Sequence, residues 1–208
     1  MNRFHKVLPA ALVAVALLTT ACSGTDSAAA SSSATAETGK PEHQFPGHTR
    51  LDQLAGEWTA EKQTFVAGGT PERPLIYRDV VSRWRWITKT GNNFLQEEVQ
   101  GIQGDRTYYR LGTLGYSPTD DRYEWSTVDS VTPMMMTYRG AKGSGSAREI
   151  VMVGDFTDPG IAGHPGATIP MRTVIRLESV DRTVMEISFT PPGEPERLID
   201  RVVLTRRR

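Results

Sequence analysis

The sequence has very little cysteine, with a single residue, Cys22, in 208. One cysteine excludes an intramolecular disulfide framework and any zinc cluster built on cysteines. Long runs of one charge are also missing. The longest basic run is Arg206–Arg208, and 24 Lys and Arg balance 24 Asp and Glu. We therefore expect no nucleic-acid partner.

Motifs of several enzyme classes are absent as well. The sequence contains no Gly-x-Ser-x-Gly elbow, no His-Glu-x-x-His pair and no Walker loop. We therefore expect a binding protein rather than an enzyme, and we assign no catalytic residue, no bound metal and no cofactor.

An apolar stretch of signal-peptide length lies near the N-terminus. Val7–Leu18 follows the basic residues Arg3 and Lys6 and is too short to span a bilayer. The pattern predicts a signal peptide over residues 1–21. The chain should therefore be secreted across the cytoplasmic membrane.

Small residues precede the cysteine in Leu18-Thr19-Thr20-Ala21-Cys22. This stretch resembles a bacterial lipobox, in which the thiol receives a diacylglyceryl group before cleavage. The resemblance implies a lipoprotein held at a membrane surface through acyl chains, including palmitate, on Cys22. The alternative is an ordinary secretory signal cleaved near Ala21.

Residues 22–48 are dominated by Ser, Ala, Thr and Gly and offer little apolar surface to bury. Such a composition is typical of a disordered tether. The folded domain is therefore predicted to span residues 49–208. It should begin with a short helix at His48–Leu54.

The rest of the chain alternates apolar and polar residues with a period of two, which predicts strands. Short links favour antiparallel hairpins, and closing the sheet removes its exposed edges. We therefore predict an all-β, antiparallel up-and-down barrel of about ten strands rather than a sandwich. A loop is expected at Thr157–Pro170. The predicted strands are Glu57–Val66, Ile76–Ile87, Phe94–Ile102, Arg106–Tyr116, Arg122–Val131, Met134–Arg139, Glu149–Phe156, Arg172–Ser179, Thr183–Thr190 and Arg197–Leu204.

Two resemblances support a barrel. The Gly56-x-Trp58 motif and the C-terminal Arg206 resemble the calycins, in which such a Trp closes the barrel and such an Arg stacks on it. The span Leu51–Arg206 resembles the bacterial family called domain of unknown function 1579. The resemblance implies a calycin-like barrel and no known reaction. It is carried by Leu54-Ala55-Gly56-Glu57-Trp58, Phe94-Leu95, Glu97, Gly101, Gly115-Tyr116, Tyr123, Val128-Asp129-Ser130, Gly154-Asp155-Phe156-Thr157-Asp158-Pro159 and Arg172-Thr173-Val174.

Alternation also predicts which side chains face the interior. An inward Arg110 requires a partner, because a lone buried charge costs several kcal/mol. Arg110 would either clamp a ligand carboxylate, as the resemblance to fatty-acid-binding proteins implies, or pair with Asp129. A one-residue slip would instead turn both side chains outward. The candidate ligand-binding residues are Trp84, Trp86, Tyr108, Arg110, Tyr116, Trp125 and Asp129.

We therefore predict a membrane-anchored barrel that binds a small apolar or amphipathic ligand. One alternative is a barrel without a cavity that acts as an interaction or assembly protein of the envelope. A second is an envelope enzyme that uses Asp155, Asp158 and His164. The related nitrobindin-like barrels bind haem through a histidine at the barrel mouth, where His164 would be the one candidate, and we expect no haem here.

Overall fold

The structure, a computed structural model, describes His43 and residues 45–208. The predicted signal segment 1–21, the predicted lipidation site Cys22 and most of the predicted tether lie outside these residues. The described elements are α1 (Pro46–Leu51), β1 (Gly56–Thr64), β2 (Leu75–Trp86), a short 3-10 turn (Thr88–Thr90), β3 (Phe94–Gln103), β4 (Arg106–Ser117), β5 (Arg122–Asp129), β6 (Met136–Arg139), β7 (Ile150–Thr157), β8 (Thr168–Ser179), β9 (Arg182–Phe189) and β10 (Arg197–Arg206).

The ten strands form one closed barrel. Each strand pairs antiparallel with its neighbours in sequence, and β1 pairs with β10 to close the sheet. The predicted all-β, up-and-down architecture is therefore confirmed. In the described residues no helix is both long and apolar enough to cross a membrane.

Apart from β8, the predicted strand bounds differ from the observed ones by at most two residues. Strand β8 begins at Thr168, so the loop predicted at Thr157–Pro170 covers only residues 158–167. The difference arises at Pro170, a residue type typical of loops, which here lies within β8. A proline is compatible with a position near the start of a strand, where its missing N–H costs least. Helix α1 also begins earlier and ends earlier than predicted.

The inner face of the barrel is the hydrophobic core. On β2, Val80 and Trp84 are buried, whereas Arg83 faces outward and pairs with Glu57. A bulge at Asp79, whose φ is 53°, shifts the register of β2 against β3. The largest fully buried side chains are Trp58, Trp84, Trp125, Tyr123, Tyr138, Phe156, Leu51, Leu54, Leu95, Leu114, Ile150 and Met152.

One end of the barrel, here called the closed end, is covered by α1. The buried indole of Trp58 donates a 2.7 Å hydrogen bond to the carbonyl of Leu54 just after the helix. The guanidinium of Arg206, at the end of β10, lies 4.1 Å from the Trp58 ring centroid. The same guanidinium donates hydrogen bonds of 2.7 to 2.8 Å to the carbonyls of Val180, Ala55 and Gln53. Arg206 therefore ties the segment after α1 to the last strand.

The barrel has its fewest paired residues where β6 meets β7. Strand β6 has four residues, and only Tyr138 and Arg139 are in register with β7, opposite Gly154 and Val153. A Cβ atom at position 154 would lie 2.1 Å from the carbonyl oxygen of Thr137. Glycine is thus required at this position for the two backbones to approach.

We predict that Arg206→Ala lowers the free energy of unfolding by about 2–4 kcal/mol, because three charge-assisted hydrogen bonds and one cation–π contact are lost together. Chemical denaturation followed by tryptophan fluorescence measures this change. The control is Arg208→Ala, which removes an 89% exposed side chain and should cost less than about 0.5 kcal/mol. Equal effects of the two substitutions would contradict the assignment.

Candidate ligand-binding site

Two cavities lie inside the described barrel. The upper cavity, of about 70 Å³, lies toward the open end, opposite α1, where the segments around Val66, Val131 and Ile161 border it. The lower cavity, of about 30 Å³, lies deeper in the barrel. A single water molecule requires roughly 10–15 Å³, so both cavities can hold small groups.

The two cavities differ in chemistry. Seven of the twenty residues that line the upper cavity are aromatic or methionine, namely Tyr77, Tyr108, Tyr138, Phe156, Phe189, Met136 and Met171. The lower cavity also includes Ser82, Glu97, Trp125 and Thr173. Lys62, Tyr108, Arg110 and Ile187 line both cavities and therefore separate them.

Arg110, on β4, is the central charged group of the site. It is 8% exposed, and its guanidinium lies 4.5 Å from the centroid of the Trp125 ring. Its Nε and Nη2 atoms have no hydrogen-bond partner. Burial opposes the charge of Arg110, but Glu97 and other nearby groups raise its pKa above the usual value. Arg110 is therefore a buried cation with unused donors.

The partner of Arg110 is Glu97 rather than Asp129. The Nε atom of Arg110 lies 3.5 Å from Oε2 of Glu97. The suggested pairing with Asp129 is corrected, because an oxygen of that carboxylate accepts hydrogen bonds from the backbone N–H groups of Val131 and Thr132. The suggested slip of register is also excluded, since Arg110 faces the interior and is buried.

Glu97, on β3, is a buried carboxylate with few stabilising contacts. It is 3% exposed, and its Oε2 atom has no hydrogen-bond partner. Burial raises the pKa of Glu97 above the usual value, although the positive charges of Arg110 and Lys62 act in the opposite direction. Its ionised form is therefore held less firmly than that of a well-paired carboxylate.

A second ion pair lies beside the first. The Nζ atom of Lys62, on β1, lies 2.5 Å from Oδ2 of Asp200, on β10. The hydroxyl of Thr64 donates to the other oxygen of the same carboxylate. Lys62 also lies 4.9 Å from the ring centroid of Tyr77, and burial raises the pKa of Tyr77 to about 12. Both oxygens of the Asp200 carboxylate are therefore hydrogen-bonded, in contrast to Oε2 of Glu97.

Several buried polar atoms around the lower cavity have no hydrogen-bond partner. A buried donor or acceptor left in this state costs about 1–3 kcal/mol. These atoms are therefore available to a polar group that enters the cavity. They are Oγ of Ser82, Oε2 of Glu97, Nε and Nη2 of Arg110, Nε1 of Trp125 and Oγ1 of Thr173.

The structure divides the seven predicted ligand-binding residues. Tyr108, Arg110, Trp125 and Asp129 line the cavities. Trp84 is buried beside Trp125, with ring centroids 6.3 Å apart, but it lies outside the lining.

Trp86 and Tyr116 lie at the closed end, away from both cavities. The indole of Trp86 donates to Asp52, and His43 binds the same carboxylate oxygen at 3.0 Å. The phenol of Tyr116 donates to Asp121. His48 packs against the Tyr116 ring, and burial together with His43 lowers the pKa of His48. These side chains seal the barrel around α1.

Sequence reasoning did not assign Lys62, Glu97 or Asp200 to the site. Alternation contained a signal for the first two, because Lys62 shares a face with Trp58 and Ala60, and Glu97 lies between the inward Leu95 and Val99. Such a signal was absent for Asp200. A bulge in β10 between Leu198 and Asp200 breaks the period of two, so Ile199 and Asp200 both line the upper cavity.

The loop at residues 158–167 lies against the open end. The buried carboxylate of Asp158 accepts hydrogen bonds from the backbone N–H groups of Gly160, Ala162 and His164. Ile161 lines the upper cavity, and its carbonyl accepts a hydrogen bond from Ala67. Asp158 therefore shapes a cover over the mouth of the barrel.

The three residues of the suggested enzyme site do not converge. Asp158 is occupied by backbone donors, Asp155 is exposed on the outer face of β7, and the ring of His164 contacts Glu194 at 2.8 Å. His164 does not line either cavity, so its position does not fit a haem ligand inside the barrel. In the described residues, no group of three or more His, Cys, Asp and Glu side chains is arranged to hold a metal ion.

We predict that Asp158→Ala lowers the free energy of unfolding by about 2–4 kcal/mol, since three backbone donors lose a charged acceptor. Burial alone would raise the pKa of Asp158, but these donors outweigh it and lower the pKa. The stabilisation is therefore present above the unfolded pKa of about 3.9 and is lost as pH falls through the folded pKa. Denaturation at pH 7 and at acid pH measures this difference.

The matched control is Asp155→Ala, which removes an exposed carboxylate three residues earlier, on β7, and should alter stability by less than about 0.5 kcal/mol. An Asp158→Ala protein as stable as the parent at pH 7 would contradict the role of this carboxylate.

The fold and the site together define a class of protein: a closed antiparallel barrel with a small, charged interior. Residues 43–206 match the family described as Protein of unknown function (DUF1579). The chain therefore belongs to that family, which confirms the resemblance found in the sequence. No curated protein matches the chain.

A solved structure shows the same fold. The crystal structure of Rv2717c from M. tuberculosis is similar to this chain with a TM-score of 0.51 and 17% sequence identity. The similarity covers 79% of this chain and 99% of that one. At this level of identity the comparison supports the fold alone.

Proposed function

We propose that the barrel binds a small amphipathic molecule with a carboxylate head. The observation that carries this proposal is the buried guanidinium of Arg110, whose Nε and Nη2 atoms have no hydrogen-bond partner, the Glu97 carboxylate lying 3.5 Å from Nε. These two N–H groups form one edge of the guanidinium, the edge that receives both oxygens of a carboxylate in a bidentate pair. The head of the ligand would therefore bind between the two cavities.

The aromatic and methionine side chains of the upper cavity supply the complementary apolar surface. A ligand whose carboxylate contacts Arg110 would place its tail among Tyr77, Tyr138 and Phe156. Drug-sized ligands occupy pockets of roughly 300–1,000 Å³, far more than the 70 Å³ of the upper cavity. We therefore narrow the ligand class to short-chain carboxylic acids. The two cavities favour ligand binding over the alternative of a barrel without a cavity.

The open end is the proposed route of access. The closed end is sealed by α1, Trp58 and Arg206, whereas the upper cavity is bordered by loops and by the segment that Asp158 organises. The contact between Trp58 and Arg206 also supports the proposal that the barrel is calycin-like.

We further propose that the barrel is attached to a membrane surface through a lipid on Cys22. The support is the sequence alone: a signal-peptide pattern over residues 1–21, the lipobox-like stretch before Cys22, and the polar segment that follows. The proposed protein would present its binding site outside the cytoplasmic membrane.

The binding proposal is tested by titrating the protein with a series of straight-chain carboxylic acids. Affinity should increase by about 0.8 kcal/mol for each buried CH₂ group until the cavity is filled. Isothermal calorimetry measures this series. Failure of every member of the series to bind would contradict the proposed function.

We predict that the double variant Glu97→Gln, Arg110→Met binds these acids at least about tenfold more weakly, because a hydrogen bond to a charged group contributes about 1.5–3 kcal/mol. The double change avoids leaving Glu97 as an unpaired buried charge. Arg106→Met, which removes an exposed arginine from the same strand, serves as the control and should retain binding. Comparison of the double variant with Glu97→Gln alone isolates the contribution of Arg110. Unchanged affinity in the double variant would rule out Arg110 as the head-group site.

A further inference from the structure

Glu97 occupies the side of Arg110 that a ligand carboxylate would use. Its Oε2 atom is 3.5 Å from Nε of Arg110, too far for a good hydrogen bond, and it accepts none from any other group. A Cβ atom at position 112 would lie 2.8 Å from this oxygen and 2.7 Å from Nε1 of Trp125. The carboxylate thus borders a small space in which polar atoms are close but unpaired.

The two cations of the interior are each paired with one carboxylate before any ligand enters. Lys62 pairs with the partly buried Asp200, and Arg110 pairs with the buried Glu97. Asp129 is held at the end of β5 by backbone donors. The titratable and charged groups that line the interior are Lys62 on β1, Tyr77 on β2, Glu97 on β3, Tyr108 and Arg110 on β4, Asp129 on β5, Tyr138 on β6 and Asp200 on β10.

An added carboxylate would break this balance. Two carboxylates that share one site cannot both stay ionised without a large cost, so one of them takes up a proton. Asp200 is stabilised by Lys62 and Thr64, and Asp129 by two backbone N–H groups. Glu97 has the weakest support, and burial already favours its neutral form.

We propose that the ligand carboxylate binds together with one proton, which Glu97 takes up from solvent while the ligand replaces it as the counter-ion of Arg110. This inference rests on the proposed function. The ligand enters as an anion, the proton forms an O–H bond on the unpartnered oxygen of Glu97, and the total charge of the interior stays unchanged. The neutral Glu97 can then donate a hydrogen bond to the bound carboxylate.

Because a proton binds together with the ligand, the affinity for the ligand depends on pH. Where Glu97 is ionised in the free protein, the complex holds one more proton than the separate partners, so the association constant falls up to tenfold for each unit of rising pH. Where Glu97 is already neutral, affinity no longer depends on its titration. The site would therefore take up its ligand at lower pH and release it at higher pH.

The test is calorimetry with a short-chain carboxylic acid that binds, carried out between about pH 6 and 9, where the ligand itself is ionised. Repeating the titration in buffers of different ionisation enthalpy gives the number of protons taken up. We expect this number to approach one within the range, with a matching fall in affinity as pH rises. Binding without proton uptake at any pH in the range would overturn the inference and leave the proposed function intact.

Two variants assign the proton to a residue. Glu97→Gln should bind without proton uptake and with little dependence on pH. Glu98→Gln, which changes the outward-facing neighbour on the same strand, should behave like the parent. Proton uptake that persists in Glu97→Gln would overturn the assignment to Glu97.

A second readout does not depend on the variant folding. Infrared difference spectra of the parent protein, labelled with ¹³C at glutamate side chains, should show a protonated carboxyl group appearing on ligand binding at the pH where calorimetry finds uptake. Absence of that band while the ligand is bound would overturn the inference. If no carboxylic acid binds in the first titration, the proposed function itself fails.

Discussion

Charges inside a closed sheet must be matched by other groups in the interior, because the strands separate them from bulk water. This barrel meets the constraint with two ion pairs, each of which joins neighbouring strands. Lys62 on β1 contacts Asp200 on β10 across the junction that closes the barrel, and Glu97 on β3 faces Arg110 on β4. The position of these four side chains depends on barrel closure, and a change in strand register would leave a buried charge without its partner.

The two ends of the barrel are built for different roles. At the closed end, Arg206 spans from β10 to the segment after α1, and its guanidinium covers Trp58. At the open end, loop contacts such as those of Asp158 replace continuous sheet. The interior consequently has a sealed floor and a mouth bordered by loops, and the aromatic side chains of the upper cavity lie near that mouth.

The architecture was predictable from sequence because alternation is a local property that the strands obey over most of their length. The same rule correctly turned Tyr108, Arg110 and Trp125 inward. Alternation carries no information about position along the barrel axis. It therefore does not separate Trp86 and Tyr116, at the closed end, from the residues that line the cavities. Alternation also fails at bulges, so it does not predict that Asp200 faces the interior. Alternation alone does not identify the partner of Arg110. Asp129 lies opposite Arg110 in register, but its carboxylate accepts hydrogen bonds from backbone N–H groups.

The short junction of β6 and β7 has a consequence for how the wall behaves over time. With only two residue pairs in register, this segment has few backbone hydrogen bonds to break, and such regions open locally at a small fraction of the global unfolding free energy. Amide hydrogens along this line should exchange with solvent well before those where β1 meets β10. Tyr138 and Met136, on β6, also line the upper cavity. Transient separation of β6 and β7 would therefore open the cavity through the side of the barrel and let its water exchange with bulk solvent, without any movement at the open end.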